Sequence, residues 1–427
     1  MTGKTTLRYL SILLVCLFAA TAQLIAQTTG TATAAIPSQL TLRDAMDVML
    51  RQSPILLRDQ QNPAIAKGDL IQAGKRPNPD FEISSESYPV FESSPGPFFN
   101  NQELLLRAGQ TIETAGKRGK RMRVAEQELA ATESGVQDTM RQLRFELKRR
   151  YYMIVLAKSQ RDLAGEILKQ FDDIIRLNEA RFKQGELSGL EINKIRAERF
   201  RFYNDVLDSD LQLKNTKTAL LELLGVGDMG TQFDVVETLS APTLTLDLPQ
   251  LQTDALQNRP DLRTERQRLE RNRQDLRLQK AEAVPNVTPF FGYKRDFGLN
   301  TAAFGVSIPL PLFNRNQGGV ARATAQIQQQ QFETSRLELA ARREVQEAYQ
   351  TVQTQGEKVR ALEDQYVPSA RNARETAQKS YRLGALDLIG LLDAERTYRE
   401  AVRGHNFALF DYQTAIFQLE TAVGKEF

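Results

Sequence analysis

Residues 117–185 read KRGKRMRVAEQELAATESGVQDTMRQLRFELKRRYYMIVLAKSQRDLAGEILKQFDDIIRLNEARFKQG. No proline interrupts them, and proline inside a helix costs about 3 kcal/mol. Met122, Ala125, Leu129, Thr132, Val136, Met140, Leu143, Leu147, Tyr151 and Ile154 recur at about 3.6 residues per step, the period of one helix face. Gln, Arg and Glu fill the gaps, so this helix packs along a narrow stripe and stays wet elsewhere. Phe182-Lys183-Gln184-Gly185 ends it, Gly being the usual residue just past a helix terminus. The spacing predicts one helix over 117–182, roughly 100 Å long at a rise of about 1.5 Å per residue.

The pattern then returns. Val320, Ala323, Ile327, Gln330, Thr334, Leu337, Ala341, Val345, Ala348 and Val352 keep the same period, and Tyr381-Arg382-Leu383-Gly384 closes a second helix predicted over 318–383. Gly185 and Gly384 stand 199 residues apart, as do Gly225 and Gly424, and Pro77-Asn78 recurs as Pro285-Asn286. That period is too long for a solenoid repeat. The chain reads as a duplicated unit, 40–225 and 250–427, joined by a segment over 226–249. In each copy the Gly is followed by another amphipathic helix, predicted over 190–224 and 388–423.

Ahead of each long helix lies a hairpin-like stretch. Phe81, Ile83 and Ser85 alternate with Glu82, Ser84 and Glu86, the turn-rich Ser93–Pro97 follows, and 103–113 returns. In the second copy, strands are predicted near 287–297 and 301–309, turning at Gly298-Leu299-Asn300. Residues 80–100 and 286–313 hold 11 of the 32 aromatics, which suits the aromatic girdles of an outer-membrane barrel. The same strands also suit a small soluble β-domain capping a coiled coil. Four strands cannot close a transmembrane barrel, and open edges cannot face lipid. If these strands span a membrane, several chains must share one barrel.

Composition removes other classes. The chain has 427 residues with one Cys and one His, so a Cys/His metal site and a nucleophile–histidine pair are excluded or nearly so. No clustered acid–base arrangement points to an enzyme. Residues 1–26 read as a secretory signal, with Lys4 and Arg8 before the apolar run Leu10–Ala20 and small residues after it. Lipidation of Cys16 would call for a small residue where bulky Val15 stands. Without Lys4 and Arg8 the chain has 54 basic and 53 acidic residues, a balance that gives no support for nucleic-acid binding. Residues 27–39 read as a linker. His405 reads as a packed or surface residue rather than a ligand.

With its signal peptide, duplicated halves, paired strands and long helices ending in Tyr/Phe-x-x-Gly, the chain resembles the TolC-type outer-membrane efflux proteins. Ser53-Pro54-Ile55-Leu56, Pro77-Asn78-Pro79, Gly116-Lys117-Arg118-Gly119 and Pro309–Asn316 look most like the heavy-metal (cobalt-zinc-cadmium) branch. The resemblance implies a mainly α fold with a small β part: a homotrimer whose four strands per subunit make a twelve-stranded outer-membrane barrel. A periplasmic α-helical tunnel continues it. It also implies a passive export duct, without cofactors, that docks to a periplasmic adaptor and an inner-membrane pump of the resistance-nodulation-division type. The competing reading is a soluble periplasmic coiled-coil scaffold or adaptor without channel activity. Pro63 departs from the family pattern and predicts a kink or break within 54–76.

The resemblance also assigns candidate residues. The helix turns, Gly185, Glu186, Leu187, Ser188 and Leu190 with Gly384, Ala385, Leu386, Asp387 and Leu388, would receive the adaptor, although both glycines also serve as plain helix caps. Asp393, nine residues after Gly384, would line a constricted entrance, where three carboxylates on one axis attract cations. Glu191 and Tyr381 match a carboxylate–phenol link that holds such entrances closed, with Leu386 replacing an Arg of that constellation. Lys117, Arg118, Lys120, Arg121 and Arg123 form a basic run suited either to lipid headgroups or to a solvated helix start.

Overall fold

The computed structural model describes residues 36–87, 91, 103–296 and 299–427. The signal segment, most of the 27–39 linker, the Ser93–Pro97 turn and the start of the Gly298-Leu299-Asn300 turn lie outside the described residues. The chain runs through β1 (Gln39–Leu40), α1 (Leu42–Gln52), α2 (Pro54–Asp59), α3 (Gln61–Ala73), β2 (Asp80–Glu86) and β3 (Glu103–Gly109). The long α4 (Lys117–Lys183) and its return helix α5 (Gly189–Leu224) complete the first half. After β4 (Asp234–Val235) come α6 (Leu248–Asn258), α7 (Pro260–Glu282), β5 (Thr288–Asp296) and β6 (Leu299–Ser307). The second half ends with α8 (Gln317–Ala361), a π-helical turn at Leu362–Tyr366, α9 (Val367–Arg382) and α10 (Leu388–Val423).

Two predicted features differ. The break expected from Pro63 falls three residues earlier, at Gln60 between α2 and α3. Pro63 itself occupies the first turn of α3, where backbone N–H groups have no intrahelical partner to lose. The second long helix is not one uninterrupted α-helix. Pro368 has no N–H and its ring crowds the carbonyl four residues before it, and the ladder passes through a single π turn just ahead of it. Flanking residues keep right-handed helical angles, so α8 runs on into α9.

Each return helix ends on a left-handed glycine that leaves space for a neighbouring backbone. A Cβ on Gly225 would sit 2.5 Å from the Gln52 carbonyl oxygen and 2.7 Å from Pro54 Cδ. One on Gly424 would sit 3.2 Å from Arg259 N. The helix breaks at Ser53-Pro54 and Arg259-Pro260 thus dock on equivalent glycines in the two halves, and φ of +75° and +76° suits neither to any residue with a Cβ.

The inter-repeat segment straps both cores. β1 and β4 pair in parallel, and the Tyr151 hydroxyl donates to the Leu40 carbonyl at 2.7 Å and to Glu237. In the second half Tyr412 donates to the Pro242 carbonyl at 2.7 Å. Val345, Ala348 and Val352 of α8 pack there against Ile416, Leu419 and Val423 of α10. Lower down, Phe171 of α4 meets Phe202 of α5 with ring centroids 4.7 Å apart, and Leu388 and Leu392 of α10 pack on that cluster. Those contacts join the two hairpins.

Candidate functional site at the hairpin tips and the sheet

The tips are built alike. Gly185 and Gly384 have φ of +77° and +76°. Glu186 N–H donates to the Arg181 carbonyl and Gly185 N–H to that of Phe182. Ala385 and Gly384 repeat the pair with Ser380 and Tyr381. This double bond pattern satisfies the last carbonyls of a helix while turning the chain. Ser188 and Asp387 then cap the return helices, accepting from Glu191 N–H at 3.2 Å and Gly390 N–H at 2.9 Å.

The predicted Glu191–Tyr381 link is not formed in this chain. Glu191 is the third residue of α5 and its carboxylate accepts from the Ser188 N–H at 3.0 Å, completing a capping box. That bond holds its carboxyl below the usual range. Tyr381, 6% exposed, instead donates its hydroxyl to Asn178 Oδ1 on α4 at 2.8 Å, and Asn178 is fully buried. Burial pushes the phenol up. Arg181 adds a bond to the Arg382 carbonyl at 2.8 Å. The buried polar bond between the hairpins therefore runs through Asn178, a residue that sequence reasoning missed.

Tyr381→Phe and Asn178→Ala should each loosen the hairpins, since losing one partner of a buried hydrogen bond costs about 1–3 kcal/mol. The double variant should be scarcely worse than either alone. Thermal melting of the single and double variants would show it, and additive effects would mean that the two side chains act separately.

Asp393 is exposed. It accepts from Arg396 at 2.7 Å and borders a groove of about 330 Å³ together with Glu198, Arg201 and Asp205 of α5. Among the predicted tip residues, Leu190 is 66% exposed, whereas Leu187, Leu386 and Leu388 are partly buried in the clusters that join the hairpins. Phe182, Leu383 and Ile389 are further exposed apolar residues of the tips. Among the described residues no group of three or more His, Cys, Asp or Glu is placed to hold a metal ion.

At the other end, β2-β3-β5-β6 form one antiparallel sheet. Residues directly opposite share a face, so the register sorts every side chain. Phe81, Ala108, Phe291 and Phe304 form one row, and Ile83, Leu106, Tyr293 and Ala302 another, on the same face. Phe81, Ile83, Phe291 and Phe304 are 61–86% exposed there. The opposite face carries Asp80, Glu82, Glu86, Glu103, Arg107, Lys294 and Asp296. On that face Arg107 lies 3.9 Å above the Phe290 ring, which covers Gly305 so closely that a Cβ would meet it at 2.6 Å. Among the described residues no helix is long and apolar enough to cross a membrane.

Below the sheet, part of the basic run is used internally. Lys117 is 3% exposed and donates to the Val284 carbonyl at 2.7 Å and Asn286 Oδ1 at 2.6 Å. Arg121 pairs with Glu113. These contacts tie the β3–α4 and α7–β5 turns together.

The sequence matches the family described as outer membrane efflux protein over residues 49–226 and 251–425. It is similar to the cobalt-zinc-cadmium resistance protein CzcC of Cupriavidus metallidurans, 24% identical over 340 residues and 78% of each chain. In fold it is similar to the Campylobacter jejuni CmeC outer membrane channel, with TM-score 0.76, 17% identity and coverage of 90% and 85%. It is also similar to the outer membrane protein VceC of Vibrio cholerae, with TM-score 0.73, 22% identity and coverage of 90% and 96%.

Proposed function

The chain belongs to the outer membrane efflux protein family, and from that premise we propose that three copies join edge to edge into one twelve-stranded barrel, continued by their helices as a duct across the periplasm. The family is one of efflux proteins rather than enzymes. The observation that carries the proposal is the sheet. One face is apolar and exposed along its Phe81 and Ile83 rows, with Arg295 and Asn300 only in the row beside the β5–β6 turn; the other is charged, and β2 and β6 are edge strands within the chain. A membrane accepts the first face and water the second, and lipid does not accept an open edge. Three copies pair every edge.

The helices of about 100 Å, at about 1.5 Å per residue, place the hairpin tips far from the sheet. The exposed Phe182, Leu190, Leu383 and Ile389 suit a periplasmic adaptor, which would connect the duct to an inner-membrane pump of the resistance-nodulation-division type. That pump supplies the energy, and the duct is passive. The likeness to CzcC favours heavy-metal cations as cargo. They would pass without a resident site, drawn by carboxylates such as Asp393 at the entrance.

Planar bilayers test this reading. The detergent-purified protein should be a trimer and give stable conductance, and a water-soluble monomer without conductance would overturn the proposal. Asp393→Asn should lower cation preference while leaving thermal stability nearly unchanged, because an exposed pair such as Asp393–Arg396 is worth about 0–1 kcal/mol. Unaltered selectivity would remove Asp393 from the entrance.

A further inference from the structure

Two residues past Asp393, α10 turns Glu395 inward, 4% exposed. Its Oε1 accepts from Gln378 Nε2 of α9 at 2.5 Å, and its Oε2 is enclosed without a partner. Apolar clusters lie on both sides: Ala377, Tyr381 and Leu391 toward the tip, and Ala370, Tyr398 and Ala401 away from it. One turn before Gln378 stands Arg374. Its guanidinium lies 3.7 Å above the Tyr398 ring, and one amino group donates to Gln170 Oε1 of α4 at 3.2 Å. Arg374 Nε is likewise enclosed and unpartnered.

A buried donor and a buried acceptor thus sit on adjacent helices without being joined. A neutral carboxyl tolerates this at moderate cost, but an ionised one in an apolar seam needs a cation. The charged groups facing Glu395 are Arg374 on α9 and Glu166 on α4. Burial lifts its carboxyl above the ordinary range, the Gln378 bond and Arg374 draw it down, and Glu166 pushes it up. The balance is a raised value. No Arg374 nitrogen lies within 4 Å of a Glu395 oxygen, so reaching the carboxylate requires the guanidinium to move from its place on Gln170. Its bond to Gln170 joins the two hairpins, whereas a bond to Glu395 lies within one hairpin.

We propose that Glu395 and Arg374 form a proton-controlled latch between the hairpins. With Glu395 neutral, Arg374 stays on Gln170 and the hairpins remain joined; with Glu395 ionised, Arg374 turns to the carboxylate and releases α4. The latch rests on the reading of the tips as the channel entrance. Its sign follows from the raised value. Closure is favoured in acid, where Glu395 is protonated in both states, and weakens as the pH rises through the closed-state value.

Single-channel recordings between about pH 5 and about pH 8 test it. The wild-type open-to-closed ratio should rise with pH, by about tenfold for each unit by which the Glu395 pKa differs between closed and open states. Glu395→Gln keeps the shape, cannot ionise, and should stay closed with a flat pH profile. Gln170→Ala removes the anchor on α4 while leaving the Tyr381–Asn178 bond in place, and should open as often at about pH 5 as at about pH 8. A conducting wild type with a flat profile, or Glu395→Gln titrating like wild type, overturns the latch. A wild type without any conductance overturns the channel reading, and the latch with it.

Discussion

Phe304→Arg should keep the chain out of the outer membrane. Phe304 lies near the middle of β6, opposite Phe291, in the row that continues through Ala108 to Phe81. At 86% exposure it has no cover within the chain, so lipid must supply it. An arginine on the lipid face near the midplane costs about 2–4 kcal/mol. Three copies in one barrel multiply this to about 6–12 kcal/mol, comparable with the entire stability of many folded domains. Ala303→Arg moves the same charge one residue along, to the face shared with Glu82 and Arg107, and should assemble. Phe304→Ala should also assemble, losing only a cross-strand pair worth about 0.2–1 kcal/mol. Fractionation and native gels of the three variants read the outcome. Normal trimers from Phe304→Arg, or failure of Ala303→Arg alone, would reverse the assignment of faces.

That assignment was half legible in the sequence. The alternation of Phe81 and Ile83 with Glu82 and Ser84 gives two faces to one strand. It cannot say that Phe81 and Phe304, three strands apart, share a face, because this depends on the register of β3 against β5, strands from different halves of the chain. Gly185 and Gly384 could be read as helix ends because the constraint is local: left-handed φ favours glycine wherever it occurs. Tyr381 is the opposite case. Its partner Asn178 lies 203 residues away, and only the packing of α9 beside α4 brings them together. Glu191 carried a local signal that pointed elsewhere. Ser188-Gly189-Leu190-Glu191 is a capping-box sequence, and a carboxylate used for its own helix end is less available to a phenol. The buried Arg259 gave no sequence signal at all, since arginine before proline is ordinary on a surface.

Replacing Arg259 should have the largest effect on the helical part. Its side chain is 3% exposed and reaches Asp261 at 2.6 and 3.1 Å, Glu344 at 2.6 Å and the Ala422 carbonyl at 3.2 Å. It thereby fastens the α6–α7 junction to α8 and to the last turn of α10. Arg259→Met takes from Asp261 its main partner, leaving it Arg141 and the Leu262 N–H, and strips a donor from the half-exposed Glu344 and the Ala422 carbonyl; breaking a largely buried pair in this way costs about 3 kcal/mol. Arg58→Ala, which removes an exposed arginine from Asp59, should leave the stability nearly unchanged. Acid should narrow the contrast. Burial pushes the Asp261 carboxyl up, but the bonds and charge of Arg259, with Arg141 behind it, hold it below the ordinary aspartate range. Its contribution is therefore complete above about pH 4 and is lost as pH falls through the depressed folded value. In Arg259→Met the depression is largely relieved, so the variant has less to lose in acid and its deficit against the wild type shrinks as the pH falls below about 4. Thermal melting of the detergent-solubilised protein at about pH 7 and about pH 4 measures both effects. Converting Arg259, Asp261 and Glu344 together to apolar residues should recover much of the lost stability, because no charge is then left buried alone. If Arg259→Met melts like wild type, the guanidinium does not hold the second half together, and the docking of Arg259-Pro260 on Gly424 must suffice.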